Sequence, residues 1–416
     1  MFGKIFNNNK VVKDEKLVED ILKRSVSAIY PNKEDLKKKL LSGERLRIYT
    51  GADATGTQLH LGHATNFIVL EKFRKLGHEI IVLFGDFTAK IGDPTDKNSA
   101  RVPLTDKDVK KNLETWKSQV EKIINFKDKN NPVKIVYNND WLSKLSFKEV
   151  VDLASNFTVQ QMIERDMFKK RIQEGKPIYL HEFFYPLMQG YDSVHLNVDL
   201  EIGGNDQTFN MLAGRTLLSK MKNKNKFVLA TTLLENPVTG KKLMSKSIGG
   251  SYIAINDEPN NMFGKVMALP DETIFPMFVD CTNVELDDIE KLKSDVLNLK
   301  VNPKDAKMKL AREVVKMFWN EGCSLSAQKN FESVFSGGAI PENLEEVFVE
   351  SGSKLVDVLL DKKLINSKGE MQRLVGEGAI KNLDTDTKID NRDFTINETV
   401  VLKIGKKRFI KILIKG

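Results

Sequence analysis

The stretch from Leu46 to Phe84 constrains the fold more than any other part of this chain. Leu46 to Thr50 is a short β-like run, and a glycine-containing turn follows it. His63 to Leu76 carries Phe67, Leu70 and Phe73 at helical spacing and stops at Gly77. Glu79 to Phe84, EIIVLF, is continuously apolar, as a strand buried on both faces must be. Strand, turn, helix and strand in that order make a βαβ unit with a right-handed crossover. The fold class read from this pattern is α/β with a mostly parallel sheet.

At 416 residues the chain is too long for one ordinary domain. The rest of the N-terminal half continues the alternation. Glu19 to Leu41 reads as helical, with a second lysine-rich helix starting at Asn32. Asp106 to Asn125 and Phe147 to Glu174 also read as helical, and Val133 to Tyr137 as a strand. A helix around His181 to Gln189 leads to an expected strand at Val194 to Val198. Ile202 to Gln207, IGGNDQ, is a second strand-to-helix turn. After Lys246 the character changes. Asp257 to Glu332 is helical, punctuated by Pro270, Pro276 and Pro303, and the glycine-serine stretches at 336–338 and 351–353 read as linkers. A small α+β unit then ends in two β runs, Thr399 to Ile404 and Arg408 to Ile414. The domains expected are 1–250, 251–345 and 353–416.

Composition excludes several function classes. No apolar run approaches the roughly 20 residues that cross a bilayer. The N-terminal residues have no apolar core of a signal peptide, and Cys281 and Cys323 form neither a zinc pattern nor a disulfide framework. A reducing, cytoplasmic setting fits. The net charge of +8 favours polyanionic partners, although solvated lysine faces explain it equally well.

The turn itself, YTGADATGTQLHLGH (Tyr49 to His63), places two of the chain's five histidines around Gly62. A helix N-terminus offers unpaired N–H groups and a positive dipole end, which attract phosphate. Gly62 lets a flat group such as a purine lie on the backbone. His60 and His63 can donate hydrogen bonds to a phosphoryl group as charge develops. Asp53 and Thr55 in the loop can bond a ligand or the turn. The plain alternative is a capped helix with surface histidines.

The same stretch resembles the HIGH signature of the class I aminoacyl-tRNA synthetases, and the G-x-D-x-T before it resembles the tyrosyl version. GDFTAKIGDPTDKNSAR (85–101), QGYDSV (189–194), IGGNDQ (202–207) and LMSKS (243–247) extend the resemblance in the family's order and spacing. Glu164 to Arg171 is similar to a segment of the longer bacterial form. The resemblance implies a Rossmann-like catalytic domain, an α-helical anticodon-binding-like domain and a small α+β RNA-binding domain. It implies that ATP is a substrate and that Mg²⁺ is carried with it. The reaction implied is activation of L-tyrosine to tyrosyl-adenylate and transfer to the 3′ end of tRNA(Tyr). The attacking carboxylate is already ionised at neutral pH, so positioning and charge stabilisation suffice and no nucleophilic triad is needed.

By matching positions, the resemblance assigns Tyr49 and Asp192 to the substrate phenol, with Gly51 and Asp53 lining the same cleft. Asp93, Tyr185 and Gln189 would hold the α-ammonium, and Gln207 the carboxylate. Gly204 and Asp206 would meet the ribose. Thr55, His60, Gly62 and His63 would serve ATP, and Lys97, Arg101 and Lys246 the departing pyrophosphate. No resident metal is implied, and a homodimer is, with the helix after Lys107 and the segment near Asn130 as expected interface.

Three positions depart from the family pattern. Leu243 stands where the signature KMSKS opens with lysine, and Lys241 and Lys242 precede it. Ala54 replaces a usual proline, and Asp96 a common glycine. The segment from Lys354 resembles a small RNA-binding domain, with Ser367 and Lys368 opening its second helix and Arg373 within it. Lys406, Lys407 and Arg408 lie in a tail of sixteen residues with six basic side chains and no acid, which fits phosphate contact. An edge strand protected by lysine is the plain reading of that tail. The rival functions are a tryptophanyl enzyme of the same fold, a small-molecule nucleotidyltransferase, and a paralogue that binds RNA without catalysis. QGYD with the C-terminal unit, and MSKS with the long extensions, argue against the first two.

Overall fold

The structure is a computed structural model that describes residues 11–94, 104–244, 252–336, 344, 346–362, 364–385, 387–405 and 408–414. The chain divides into two compact units, residues 1–325 and 326–416.

The first unit is built on a six-stranded sheet. Its strands are β1 (Val26–Tyr30), β2 (Arg47–Asp53), β3 (Glu79–Gly85), β4 (Lys134–Tyr137), β5 (Leu200–Gly204) and β6 (Phe227–Thr231). The spatial order is β1-β6-β5-β2-β3-β4. All neighbours run parallel except β1, which lies antiparallel to β6 at the edge. β3 is buried from Ile80 to Gly85, as its unbroken apolar run requires. The connections from β2 (to β3) and from β5 (to β6) leave in opposite directions across the sheet. The crevice between the carboxyl ends of β2 and β5 is therefore the switch point where α/β folds bind ligands.

Two expectations need correction. The helical reading of 19–41 is interrupted. A helix over Glu15–Ile21 ends, Ser25 takes a positive φ, and Val26–Tyr30 turns into the edge strand. VSAIY is rich in β-branched and aromatic residues, and its pairing with β6 overrides the helical spacing of Val26 and Ile29. The strand expected at Val194–Val198 is instead the end of a helix, Tyr185–Leu196, closed by Asn197 in the left-handed region. The strand lies a few residues on, at Leu200–Gly204. β6 is an addition that the sequence reading did not contain.

The helix Tyr185–Leu196 packs closely against the helix Thr208–Lys222. A Cβ on Gly190 would stand 3.2 Å from the backbone nitrogen of Gly214 and 2.8 Å from Leu217, so glycine is what permits the approach. Within the same unit, helices Pro259–Ala268, Ile274–Cys281, Leu286–Leu297 and Pro303–Phe318 follow the sheet. Pro259 and Pro303 occupy first-turn positions, where their missing N–H groups cost nothing.

In the second unit a five-stranded sheet is ordered Thr387–Lys388, Ile380–Asn382, Val400–Ile404, Arg408–Ile414, Glu346–Val349. Helices Leu355–Asp361 and Lys368–Gly376 accompany it, and Leu355, Leu359, Ile380, Leu402 and Ile410 are fully buried in its core. Ser367 caps the second helix by accepting from the Glu370 N–H at 3.1 Å.

Candidate active site

A cleft of about 370 Å³ opens at the switch point. The turn after β2 reaches it through the helix Leu61–Lys75. His60 is the N-cap of that helix: its Nδ1 accepts from the Gly62 N–H at 3.1 Å, and His63 Nδ1 accepts from the His60 N–H at 3.3 Å. Both histidines thus cap the helix, the plain alternative raised from the sequence. The same bonds bear on chemistry. With Nδ1 accepting in each ring, the neutral tautomer carries its proton on Nε2, the nitrogen able to donate to a phosphoryl oxygen. The segment that follows the LMSKS motif in sequence runs alongside, with Leu61 N donating to Ile253 O at 3.1 Å and Ile255 N to Leu59 O at 3.0 Å. A Cβ on Gly62 would sit 3.1 Å from the His60 ring.

The helix Tyr185–Leu196 presents Tyr185, Gln189, Asp192 and Ser193 on one face, at helical spacing. Asp192 is buried. It accepts from Trp141 Nε1 at 2.8 Å on one oxygen and from Asn138 Nδ2 at 3.2 Å on the other. Burial pushes its carboxyl well above the ordinary range, against the pull of those two donors. Tyr49 lies at the same end, its Oη 2.9 Å from Ser193 Oγ. Burial, reinforced by Glu201 and Asp192, raises the Tyr49 phenol far above its usual value, so it stays protonated.

The neighbouring wall is acidic. Asp53 accepts from Tyr185 Oη at 2.8 Å and from Thr88 Oγ1 at 2.6 Å, and Asp93 accepts from Gln207 Nε2 at 2.6 Å. Burial and then Asp53 raise the Tyr185 phenol, which therefore remains a donor. Such a wall suits an ammonium group. Farther along, Lys242 Nζ lies 3.0 Å from Asp206 Oδ2, while Leu243 is buried.

The cleft thus gathers nearly every described residue marked out from the sequence. Tyr49, Gly51, Asp53 and Thr55 line it from β2 and its turn. His60, Gly62 and His63 come from the cap and first turn of the helix Leu61–Lys75, Asp93 from the segment after β3, and Tyr185, Gln189 and Asp192 from the helix Tyr185–Leu196. Gly204, Asp206 and Gln207 close it at the end of β5. Lys97, Arg101, Lys246 and Asp96 lie outside the described residues, as do Lys406 and Lys407. In the second unit Lys368 opens its helix, Arg373 stands 3.4 Å from Glu377, and Arg408 bonds Glu370 at 3.1 Å and the Leu364 carbonyl.

Several groups escaped the sequence reading. Asn138 and Trp141 carry no motif, and their link to Asp192 spans more than fifty residues of chain. Glu201 and Lys226 had a signal that was passed over: each is a charged residue in or beside an otherwise apolar strand. Arg165, in the segment like the longer bacterial form, lies 4.7 Å over the Phe209 ring. Burial lowers it to about 10, opposed by the charge of Asp93. The expected interface near Asn130 is polar: Asn131 is buried, bonding Arg45 at 2.7 Å and the carbonyls of Arg74 and His78. Exposed apolar side chains concentrate instead between 147 and 180, at Phe147, Val151, Val159, Ile172, Tyr179 and Leu180.

Comparison with known proteins agrees with this geometry. The profile of the tRNA synthetases class I (W and Y) matches residues 41–336. Tyrosine–tRNA ligase 2 of Clostridium acetobutylicum is 40% identical over 399 residues, covering 95% of this chain and 98% of its own. The tyrosine–tRNA ligase of Photobacterium profundum is 41% identical over 394 residues, with 95% and 98% covered. Among solved structures, a C-terminally truncated mitochondrial tyrosyl-tRNA synthetase from Aspergillus nidulans superposes with a TM-score of 0.66 at 22% identity. It covers 77% of this chain and 94% of that one. The tyrosyl-tRNA synthetase of Archaeoglobus fulgidus complexed with L-tyrosine gives 0.60 at 22% identity, covering 76% and 100%. With the class I synthetase fold around this cleft and near-full-length similarity to tyrosine–tRNA ligases, the chain belongs to the class I tRNA synthetases of the W and Y group.

Proposed function

We propose that the protein activates L-tyrosine with ATP and transfers the tyrosyl group to the 3′ end of tRNA(Tyr). The observation that carries this reading is Asp192. A buried carboxylate, already held by two donors and facing a phenolic Tyr49, is an acceptor that a substrate hydroxyl can satisfy and phenylalanine cannot. Against the neighbouring wall, Asp93, Tyr185 and Gln189 hold the α-ammonium beside Asp53, and the Gln207 amide turns toward the carboxylate.

In the first step a carboxylate oxygen of tyrosine attacks the α-phosphorus of ATP, and the bond to the bridging oxygen breaks as pyrophosphate leaves. No proton is abstracted from the nucleophile. Nε2–H of His60 and His63 meets charge growing on the phosphate oxygens, over the helix N-terminus. Asp206 takes the ribose hydroxyls, which releases Lys242 from its ion pair with that carboxylate. Lys242 then supplies the charge that Leu243 does not, and Lys97, Arg101 and Lys246 serve the pyrophosphate. Mg²⁺ enters with ATP as part of the substrate. In the second step the 3′-terminal ribose hydroxyl of the tRNA attacks the carbonyl carbon of the adenylate and AMP leaves.

Lys368, Arg373, Lys406, Lys407 and Arg408 are assigned to RNA phosphates, and Arg408 also ties its strand to the helix through Glu370. The apolar side chains of 147–180 are the surface we assign to a homodimer. The protein works in the cytoplasm, where its tRNA is. Tyrosine-dependent ATP–pyrophosphate exchange, run beside phenylalanine and tryptophan, tests the central claim. Exchange with tyrosine alone is expected; folded protein that binds tRNA without exchange with any amino acid would sink it in favour of an RNA-binding paralogue.

A further inference from the structure

Behind the pocket that this reading gives to tyrosine lies a buried charge pair with no part in the chemistry above. The sheet register brings it together. Tyr49 on β2 pairs with Glu201 on β5, and Glu201 pairs with Val228 on β6. Lys226 precedes Val228 by two residues and so shares its face. Lys226 is fully buried and Glu201 nearly so. The ammonium contacts Glu201 Oε2 and donates to Ser193 Oγ at 2.6 Å. Ser193 Oγ lies 2.9 Å from Tyr49 Oη and 3.2 Å from Glu201 Oε2. The other carboxylate oxygen, Oε1, accepts from Gln189 Nε2 at 3.1 Å.

The network therefore ends on Gln189 and Tyr49, two side chains that line the cleft. An ammonium can only donate and a carboxylate can only accept, so the pair removes the choices that neutral groups would leave open. The Gln189 amide must point its NH₂ at Glu201, which turns its carbonyl oxygen outward. Ser193 receives from Lys226 and gives its one proton to Glu201, which leaves its remaining lone pair to accept from the Tyr49 hydroxyl.

We propose that Glu201 and Lys226 are positioning residues for the amino-acid substrate: the buried pair sets the amide direction of Gln189 and, through Ser193, the hydroxyl direction of Tyr49. The proposal rests on the tyrosine reading of the pocket. A purely structural ion pair would contribute to folding and leave substrate recognition alone, so the two roles separate in kinetics.

The test measures KM for tyrosine and for ATP, and the preference for tyrosine over phenylalanine, by pyrophosphate exchange. The proteins are the wild type, K226M, the charge-neutral double variant E201Q/K226M, and S193A. K226M strands a buried carboxylate and is expected to fold poorly; the double variant and S193A strand no charge. In both of the latter, thermal unfolding near that of the wild type is expected, with KM for tyrosine raised about tenfold, KM for ATP unchanged and the preference over phenylalanine reduced. KM for tyrosine within twofold of wild type in both overturns the proposal, as does a parallel rise in both KM values. Absence of tyrosine exchange in the wild type overturns the pocket reading along with it, so the two failures are distinct.

Discussion

Replacing Asp192 by Asn tests the site where its consequences can be worked out most fully. The carboxylate offers one oxygen to Trp141 Nε1 at 2.8 Å and the other to Asn138 Nδ2 at 3.2 Å. An asparagine of the same shape keeps one acceptor and turns the other into a donor. One of the two buried donors must then face an NH₂ group, at a cost of about 1–3 kcal/mol in stability. The substrate phenol loses a charged acceptor, worth about 1.5–3 kcal/mol, so kcat/KM for tyrosine should fall roughly 10- to 150-fold. Phenylalanine has no hydroxyl to lose, so its kcat/KM should hardly move and discrimination should collapse. The pH dependence carries a sign. Burial raises the Asp192 carboxyl above its ordinary range, so the folded protein binds a proton there that the unfolded chain has already released. Stability from this group is therefore full below the ordinary carboxyl range and declines as pH rises toward the raised value. The charged acceptor forms over the same rise, so kcat/KM for tyrosine should climb with pH along a limb displaced above the usual carboxylate value. Pyrophosphate exchange across pH, in wild type and D192N, reads both effects. A limb that persists in D192N, or a loss shared equally by tyrosine and phenylalanine, refutes the assignment.

Other changes reach different parts of the cleft. Gly62→Ala puts a Cβ 3.1 Å from the His60 ring, and the resulting displacement should raise KM for ATP on the order of tenfold without altering KM for tyrosine, measured by the same exchange. Lys242→Ala should slow adenylate formation about tenfold or more in single-turnover experiments, while Lys241→Ala leaves it within twofold, because Lys242 reaches Asp206 in the cleft. Equal effects of the two would leave the replacement of the missing lysine to neither. Arg171→Met leaves the buried Glu182 carboxylate without the guanidinium that holds it at 2.5 Å; denaturant unfolding should show a loss of about 3–5 kcal/mol.

The parts of this molecule that were legible in the sequence are those whose physics is local. A continuous apolar run such as Ile80 to Phe84 can only be a strand covered on both faces, and β3 is one. The helix after His60 announces itself by spacing and by Gly77, and its cap is made of the residues that the motif places there. The turn's two histidines around Gly62 stood out by local pattern and do line the cleft, whereas Gly204 and Asp206 were marked out by resemblance to a family motif. What stayed hidden depends on pairing between distant segments. β1 has helical spacing and becomes a strand because β6, some two hundred residues later, offers it an edge. A one-residue slip in such pairing turns every side chain to the other face, so no local pattern reveals which residues will meet.

The end of the cleft proposed for tyrosine shows how the two kinds of information combine. Asp192 stands out in a short motif, yet a carboxylate alone fixes nothing: Trp141 and Asn138 hold its two oxygens, and Ser193, Glu201 and Lys226 form the bonded network that reaches Gln189 and Tyr49. Only Ser193 among these five adjoins Asp192 in the chain, and the rest are brought by β4, β5, β6 and the turns beside them. A variant with the same motif and a neutral residue at 201 or 226 would look equivalent in sequence and yet orient Gln189 and Tyr49 differently. On the proposed reading, specificity at this end belongs to sheet register as much as to motif, and substitutions that preserve every motif residue are expected to change which amino acid is chosen.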